Sequence, residues 1–213
     1  VSKPLSLTFD PIARADELWR ERWGAVPSMA AITSIMRAQQ ILIGQVDAVV
    51  KPYGLTFARY EALVLLTFSK AGELPMSKIG ERLMVHPTSV TNTVDRLVKS
   101  GLVDKRPNPN DGRGTLAAIT EKGREVVEGA TRDLMAMDFG LGAYDADQCT
   151  DIFAMLRPLR VAAGDFEDRQ GDSQGNGPGA GQDEDLEGAR GEGWEGSPEE
   201  SRAERQKAGA GER

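Results

Sequence analysis

Between Thr88 and Lys99 the chain gathers Thr88, Ser89, Thr91, Asn92, Thr93, Arg96 and Lys99, all able to make hydrogen bonds through their side chains. Nothing in the group pairs a nucleophile with a base, so the chemistry it offers is recognition rather than bond making. An Asn amide can meet adenine N6 and N7 with two hydrogen bonds, which makes Asn92 the base-reading candidate. The hydroxyls of Thr88, Ser89, Thr91 and Thr93 can reach a base edge or a phosphate oxygen. Arg96, Lys99 and the upstream Ser77 suit phosphate contacts, which set position and carry no sequence information. The partner that fits is double-stranded DNA. A plainer alternative, a solvated polar group on a helix face, stays open for each residue.

These side chains need a helix to hold them, and the spacing predicts one. Val90, Val94, Leu97 and Val98 fall at i, i+4, i+7 and i+8, one apolar stripe opposite the polar face. Pro87 suits the first helical position, where a missing N–H costs nothing, and Gly101 suits the left-handed exit. His86, the only histidine, can cap this helix or touch a phosphate. Upstream, Ile79 and Leu83 give a matching stripe, Gly80 permits close approach, and Ser77 is a candidate N-cap. Downstream, Leu102-Val103 and Leu116–Ile119 read as strand cores around the turn-rich Pro107-Asn108-Pro109-Asn110-Asp111-Gly112. Two helices followed by a hairpin make a winged helix-turn-helix, a module that places one helix in a DNA groove.

In this arrangement the chain resembles the MarR family of bacterial transcription regulators, over about Ile32 to Leu159. Asp111-Gly112-Arg113 followed by Ile119-Thr120-Glu121-Lys122-Gly123 is similar to the family's wing signature, and Tyr53-Gly54-Leu55-Thr56 and Val90–Val103 also fit its pattern. The resemblance implies that Arg113 enters a minor groove and that Asp111 holds it. The position between them, often Arg in the family, is Gly112 here, which removes one phosphate contact. The resemblance further implies a ligand-responsive repressor that binds a palindromic operator as a homodimer, with both termini in the dimer interface. The implied effector pocket lies between the dimer helices and the winged module. Glu17-Leu18-Trp19-Arg20-Glu21-Arg22-Trp23 resembles the extra helix of a urate-responsive subgroup, which makes Trp19, Met29, Ile32 and Met36 candidate ligand contacts. The subgroup's ligand-binding Arg is absent, since Thr93 follows Asn92. Trp19 and Trp23 can equally serve as packing anchors.

The charge balance needs squaring with DNA. The formal net charge is −7, but 13 of the 33 acids and six of the 26 bases lie from Glu167 onward, which leaves 20 of each before it. Between Lys78 and Arg124 nine bases stand against five acids, a local excess of four. DNA affinity per subunit should therefore be modest and strongly salt dependent. The acidic, Gly-rich segment 166–213 has too few apolar groups to offset ordering entropy and is expected to be disordered. It reads either as a solvated appendage or as a competitor for the basic face.

The expected architecture is mainly α with a small β-hairpin wing: an N-terminal extension and helix at 1–30, dimerisation helices at 31–56 and 120–165, and the DNA-binding module at 57–119. Ile32, Ile35, Met36, Leu42, Ile43, Val46, Val49 and Val50 form a long stripe on one flank. Val126, Val127, Ala130, Leu134 and Met137, then Ile152, Met155, Leu156 and Leu159, form two on the other. No apolar run approaches membrane-spanning length, no secretory start is read, and the single Cys149 fits a reducing cytoplasm. Cys149 lies between Asp147 and Asp151, whose charge disfavours a reactive thiolate. No cofactor, metal or catalytic residue is expected, and the chain reads as a non-enzyme. The rival reading is a winged-helix scaffold that recruits protein partners through its acidic tail. Such a scaffold would carry aromatic or Leu anchors where Ser89–Thr93 stand.

Overall fold

The computed structural model describes residues 6–109 and 111–167, with backbone alone at 112 and 113. Helix α1 (Pro11–Trp23) precedes the long α2 (Pro27–Val50), and α3 spans Phe57–Phe68. A short strand β1 (Glu73–Pro75) leads into α4 (Met76–Leu83) and α5 (Pro87–Lys99). The wing is β2 (Val103–Asn108) and β3 (Asp111–Ile119), followed by α6 (Glu121–Ala136) and α7 (Ala146–Ala163).

The core is built around α3, whose Ala62, Leu63 and Leu66 are fully buried. Val46 and Val50 of α2, Ile79 of α4, Val90, Val94 and Leu97 of α5, and Val127, Ala130 and Leu134 of α6 close on it. Thr56 makes no cap for α3. Instead Asp47, a turn from the end of α2, accepts the Phe57 amide at 2.7 Å. One contact thus caps α3 and fixes its angle to α2. Tyr53 donates to Asp133 of α6 at 2.7 Å, and this bond, followed by burial, pushes its phenol above the usual value of 10.0.

The sheet has three strands in the order β1-β3-β2, all antiparallel. The hairpin is thus longer than the expected strand cores, running through Pro107 and Asn108 with a register shift there. Strand β1 is an addition: a three-residue strand ending at Pro75 gives no alternation to read in sequence, and only its pairing with Leu116–Ala118 creates it. Two further boundaries differ. Pro27 opens α2, so the break expected at 30/31 falls inside a helix. Ser77 is not an N-cap, because Met76 already opens α4 with Pro75 in the cap position.

The flanking stripes divide. The stripe on α6 is spent inside the protomer, where Val127, Ala130 and Leu134 are buried. Helix α7 buries no residue, and Phe153, Met155 and Leu159 stand 60–70% exposed. On α2 only Val46 and Val50 are buried, while Ile32, Ile35, Met36, Ile41 and Ile43 are open to solvent. No helix among the described residues is long and apolar enough to cross a membrane. The acidic segment from residue 168 lies outside the described residues.

Candidate nucleic-acid interface

Helix α5 is held from behind. Val90, Val94 and Leu97 are at most 2% exposed, so the opposite face is forced outward. A Cβ at Gly80 would meet Val90 Cγ2 at 3.2 Å and the Val85 carbonyl at 3.3 Å, which explains how closely α4 and α5 pack. At the turn between them Met84 takes a left-handed φ of 54°. His86 caps α5, its Nδ1 accepting from the Thr88 amide at 3.2 Å, and Pro87 takes the first helical position.

The other end of α5 is clasped by the Thr120-Glu121-Lys122-Gly123 segment. The Thr120 hydroxyl donates to the Gly101 carbonyl at 2.8 Å and accepts from the Gly123 amide at 3.0 Å, capping α6. Lys122 donates to the Ser100 carbonyl at 3.0 Å, so a cation satisfies the end of α5. A Cβ at Gly123 would sit 2.2 Å from the Leu102 carbonyl, so no side chain fits there. These residues set where α5 stops and the wing begins.

Thr88, Ser89, Thr91, Asn92, Arg96 and Lys99 are exposed on the outward face of α5, and Thr93 is half-buried at its edge. Thr91 is partly committed, its hydroxyl donating to the Pro87 carbonyl at 3.1 Å, which leaves it chiefly an acceptor. Ser77 is exposed near the start of α4. A cleft of about 600 Å³ opens between α4, α5 and the wing, and it brings Ser77, Thr91 and Asp111 together with Lys78, Lys105 and Asn108. Asp111 is exposed, and Gly114 makes room for its carboxylate, since a Cβ there would lie 2.9 Å from Oδ2. Arg113 is in strand β3, and its side chain lies outside the described residues.

Lys78, Lys105 and Asn108 join the site without having been expected there from sequence. Lys105 had a signal, the two-residue period from the buried Val103, which puts both on the helix-facing side of β2 once the strand is known to run that far. Lys105 donates to Asp95 of α5 at 2.5 Å, and Lys78 to Glu81 at 2.8 Å. Arg106, on the other side of β2, lies 3.6 Å from Glu73 of β1.

The candidate effector residues are largely open to solvent. Trp19 is 37% exposed and tilts against Trp23 with ring centroids 4.7 Å apart. Ile32 and Met36 are exposed at 47% and 56%, and Met29 is half-buried.

A family model described as MarR family matches residues 58–115, from α3 to the wing. The crystal structure of Sco5413, a MarR family transcriptional regulator from Streptomyces coelicolor, is 87% identical, covering 67% of this chain and 99% of that one with a TM-score of 0.63. The chain belongs to the MarR family. This MarR-family chain is also 32% identical over 95 residues to the uncharacterised HTH-type regulator YhbI of Bacillus subtilis, a match spanning 45% of the chain and 60% of YhbI. It shares its fold with Sco3205 of Streptomyces coelicolor, a MarR family regulator solved in complex with DNA, at 22% identity and a TM-score of 0.59 over 68% of this chain and 96% of that one.

Proposed function

We propose that this MarR-family regulator acts as a homodimeric repressor that reads a two-fold symmetric operator through α5 and releases it when a small molecule binds. The observation that carries the reading is the outward face of α5, where exposed Ser89, Thr91 and Asn92 are flanked by Arg96 and Lys99 and backed by a fully packed apolar face. That face carries hydrogen-bonding groups and cations but no aromatic or Leu anchor, which suits a nucleic-acid groove better than a protein partner. Asn92 is assigned to a base edge, with Thr88, Ser89, Thr91 and Thr93 beside it. Ser77, Arg96 and Lys99 are assigned to phosphates, and Arg113, supported by Asp111, to the adjacent minor groove.

The exposed apolar side chains support the dimer. A helix of 18 residues with none fully buried, as in α7, gains little from propensity alone and needs packing to persist in water. A second copy covering α7 together with the open faces of α1 and α2 supplies the missing packing and sets the two α5 helices about one helical turn of DNA apart. We assign Trp19, Met29, Ile32 and Met36 to an effector pocket between the dimer helices and the winged module. Their apolar character, with Thr93 standing where the urate-responsive subgroup carries its ligand-binding Arg, favours an aromatic or apolar effector over an anion. Such a ligand weakens operator binding by its preference for the non-binding geometry and by no more.

Selection from a pool of random duplexes at two salt concentrations tests the reading. The expected result is a two-fold symmetric site, with Asn92→Ala costing about 1–3 kcal/mol and relaxing preference at one base position per half-site. Recovery of no enriched site at moderate salt would refute it and favour the protein-interaction scaffold.

A further inference from the structure

Asp95 is the one acid in the Pro87–Lys99 segment, and it stands beside the cations assigned to phosphate contact. A carboxylate there repels DNA, so its presence calls for a compensating role. Its Oδ1 accepts from Lys105 Nζ at 2.5 Å, a bond that runs from α5 to β2 across ten residues of sequence. The Asp95 and Lys105 side chains keep 48% and 33% of their surface, so both meet solvent, and Lys105 also lines the cleft with Ser77 and Thr91.

We infer that Asp95 is a positioning residue that withholds Lys105 from indiscriminate phosphate contact and ties the base of the wing to the reading helix. The inference rests on the DNA-binding reading above. A lysine ammonium on its flexible stem binds a phosphate as a point charge, whatever the base sequence. Released, Lys105 would add affinity for every duplex alike. Held by Asp95, it meets DNA from one fixed place, and the wing keeps one orientation relative to Asn92. The pair therefore lowers general affinity and raises discrimination between sites. An exposed pair of this kind adds little to folding, so its removal should leave the fold intact and act on DNA binding.

The test measures binding of the full chain to its selected operator and to a scrambled duplex of equal length across a fourfold range of salt. Asp95→Asn should tighten the scrambled duplex more than the operator, so their ratio falls. It should also steepen the salt dependence by about one phosphate contact, roughly a 3.5-fold larger gain at the low-salt end. Adding Lys105→Met to Asp95→Asn should cancel the added steepness. Asp104→Asn changes the charge equally one residue before Lys105, and it should leave both the slope and the ratio near wild type. The inference is overturned if Asp95→Asn and Asp104→Asn shift both duplexes alike, or if the double variant keeps the steeper slope. A wild-type chain that binds neither duplex refutes the DNA-binding reading itself, and the inference falls with it.

Discussion

Thr120→Val replaces a hydroxyl by a methyl of nearly the same shape, and it removes two hydrogen bonds at one atom. The Gly123 amide loses its acceptor, so α6 loses its N-cap, which typically costs about 1 kcal/mol. The Gly101 carbonyl loses its donor, worth about another 1 kcal/mol net. The sum, about 2 kcal/mol, is the upper end, since Gly123 is buried but the Thr120–Gly101 bond is exposed and water can replace part of it. For a folded body of this size it corresponds to a fall in Tm of roughly 4–8 °C. Thr120→Ser keeps both bonds and should lose far less. The assay is denaturant unfolding of wild type and both variants at one protein concentration, because the stability of the proposed dimer would depend on concentration. The salt dependence of operator binding should be measured alongside. Operator affinity should fall for Thr120→Val, since the hydroxyl joins the end of α5 to the start of α6. If Thr120→Val unfolds within about 0.5 kcal/mol of wild type, the clasp is not holding this junction and the reasoning fails.

Two further outcomes follow from the same contacts. Gly140 has a φ of 85° after two residues at 50°, and a Cβ there would lie 2.6 Å from Gln45 Oε1, so Gly140→Ala should cost about 1–2 kcal/mol in unfolding measurements. Gly142→Ala, whose Cβ would meet only Asp138 Oδ2 at 3.4 Å, should be nearly silent. Desolvation by the surrounding chain raises the carboxyl of the largely exposed Glu61 above its ordinary value, so the folded state holds that proton somewhat more tightly than the unfolded state. Its contribution is then fully present below the unfolded pKa and lost as pH rises through the folded one. Glu61→Gln should accordingly stabilise the protein at pH 7 and confer no advantage in acid; equal effects at both pH values would refute the assignment.

The polar face of α5 and its apolar back were legible in the sequence because a 3.6-residue period reports directly on which side is buried. Pro87 and Gly101 marked the two ends for local reasons of φ and missing N–H that need no tertiary context. The Thr120-to-Gly123 segment could be recognised as a pattern, but its purpose could not be read there. That purpose depends on the Leu102 carbonyl lying where a Gly123 side chain would be. Strand β1 was invisible because three residues carry no periodicity, and only β3 beside them makes them a strand. Lys105 appeared as one more charge until the length of β2 turned it toward Asp95. Which face of α5 turns outward and what that face can bond follow from residue type and local spacing alone. Tertiary structure alone decided which apolar stripes are spent inside the protomer and which remain open, because burial depends on where the chain returns in space.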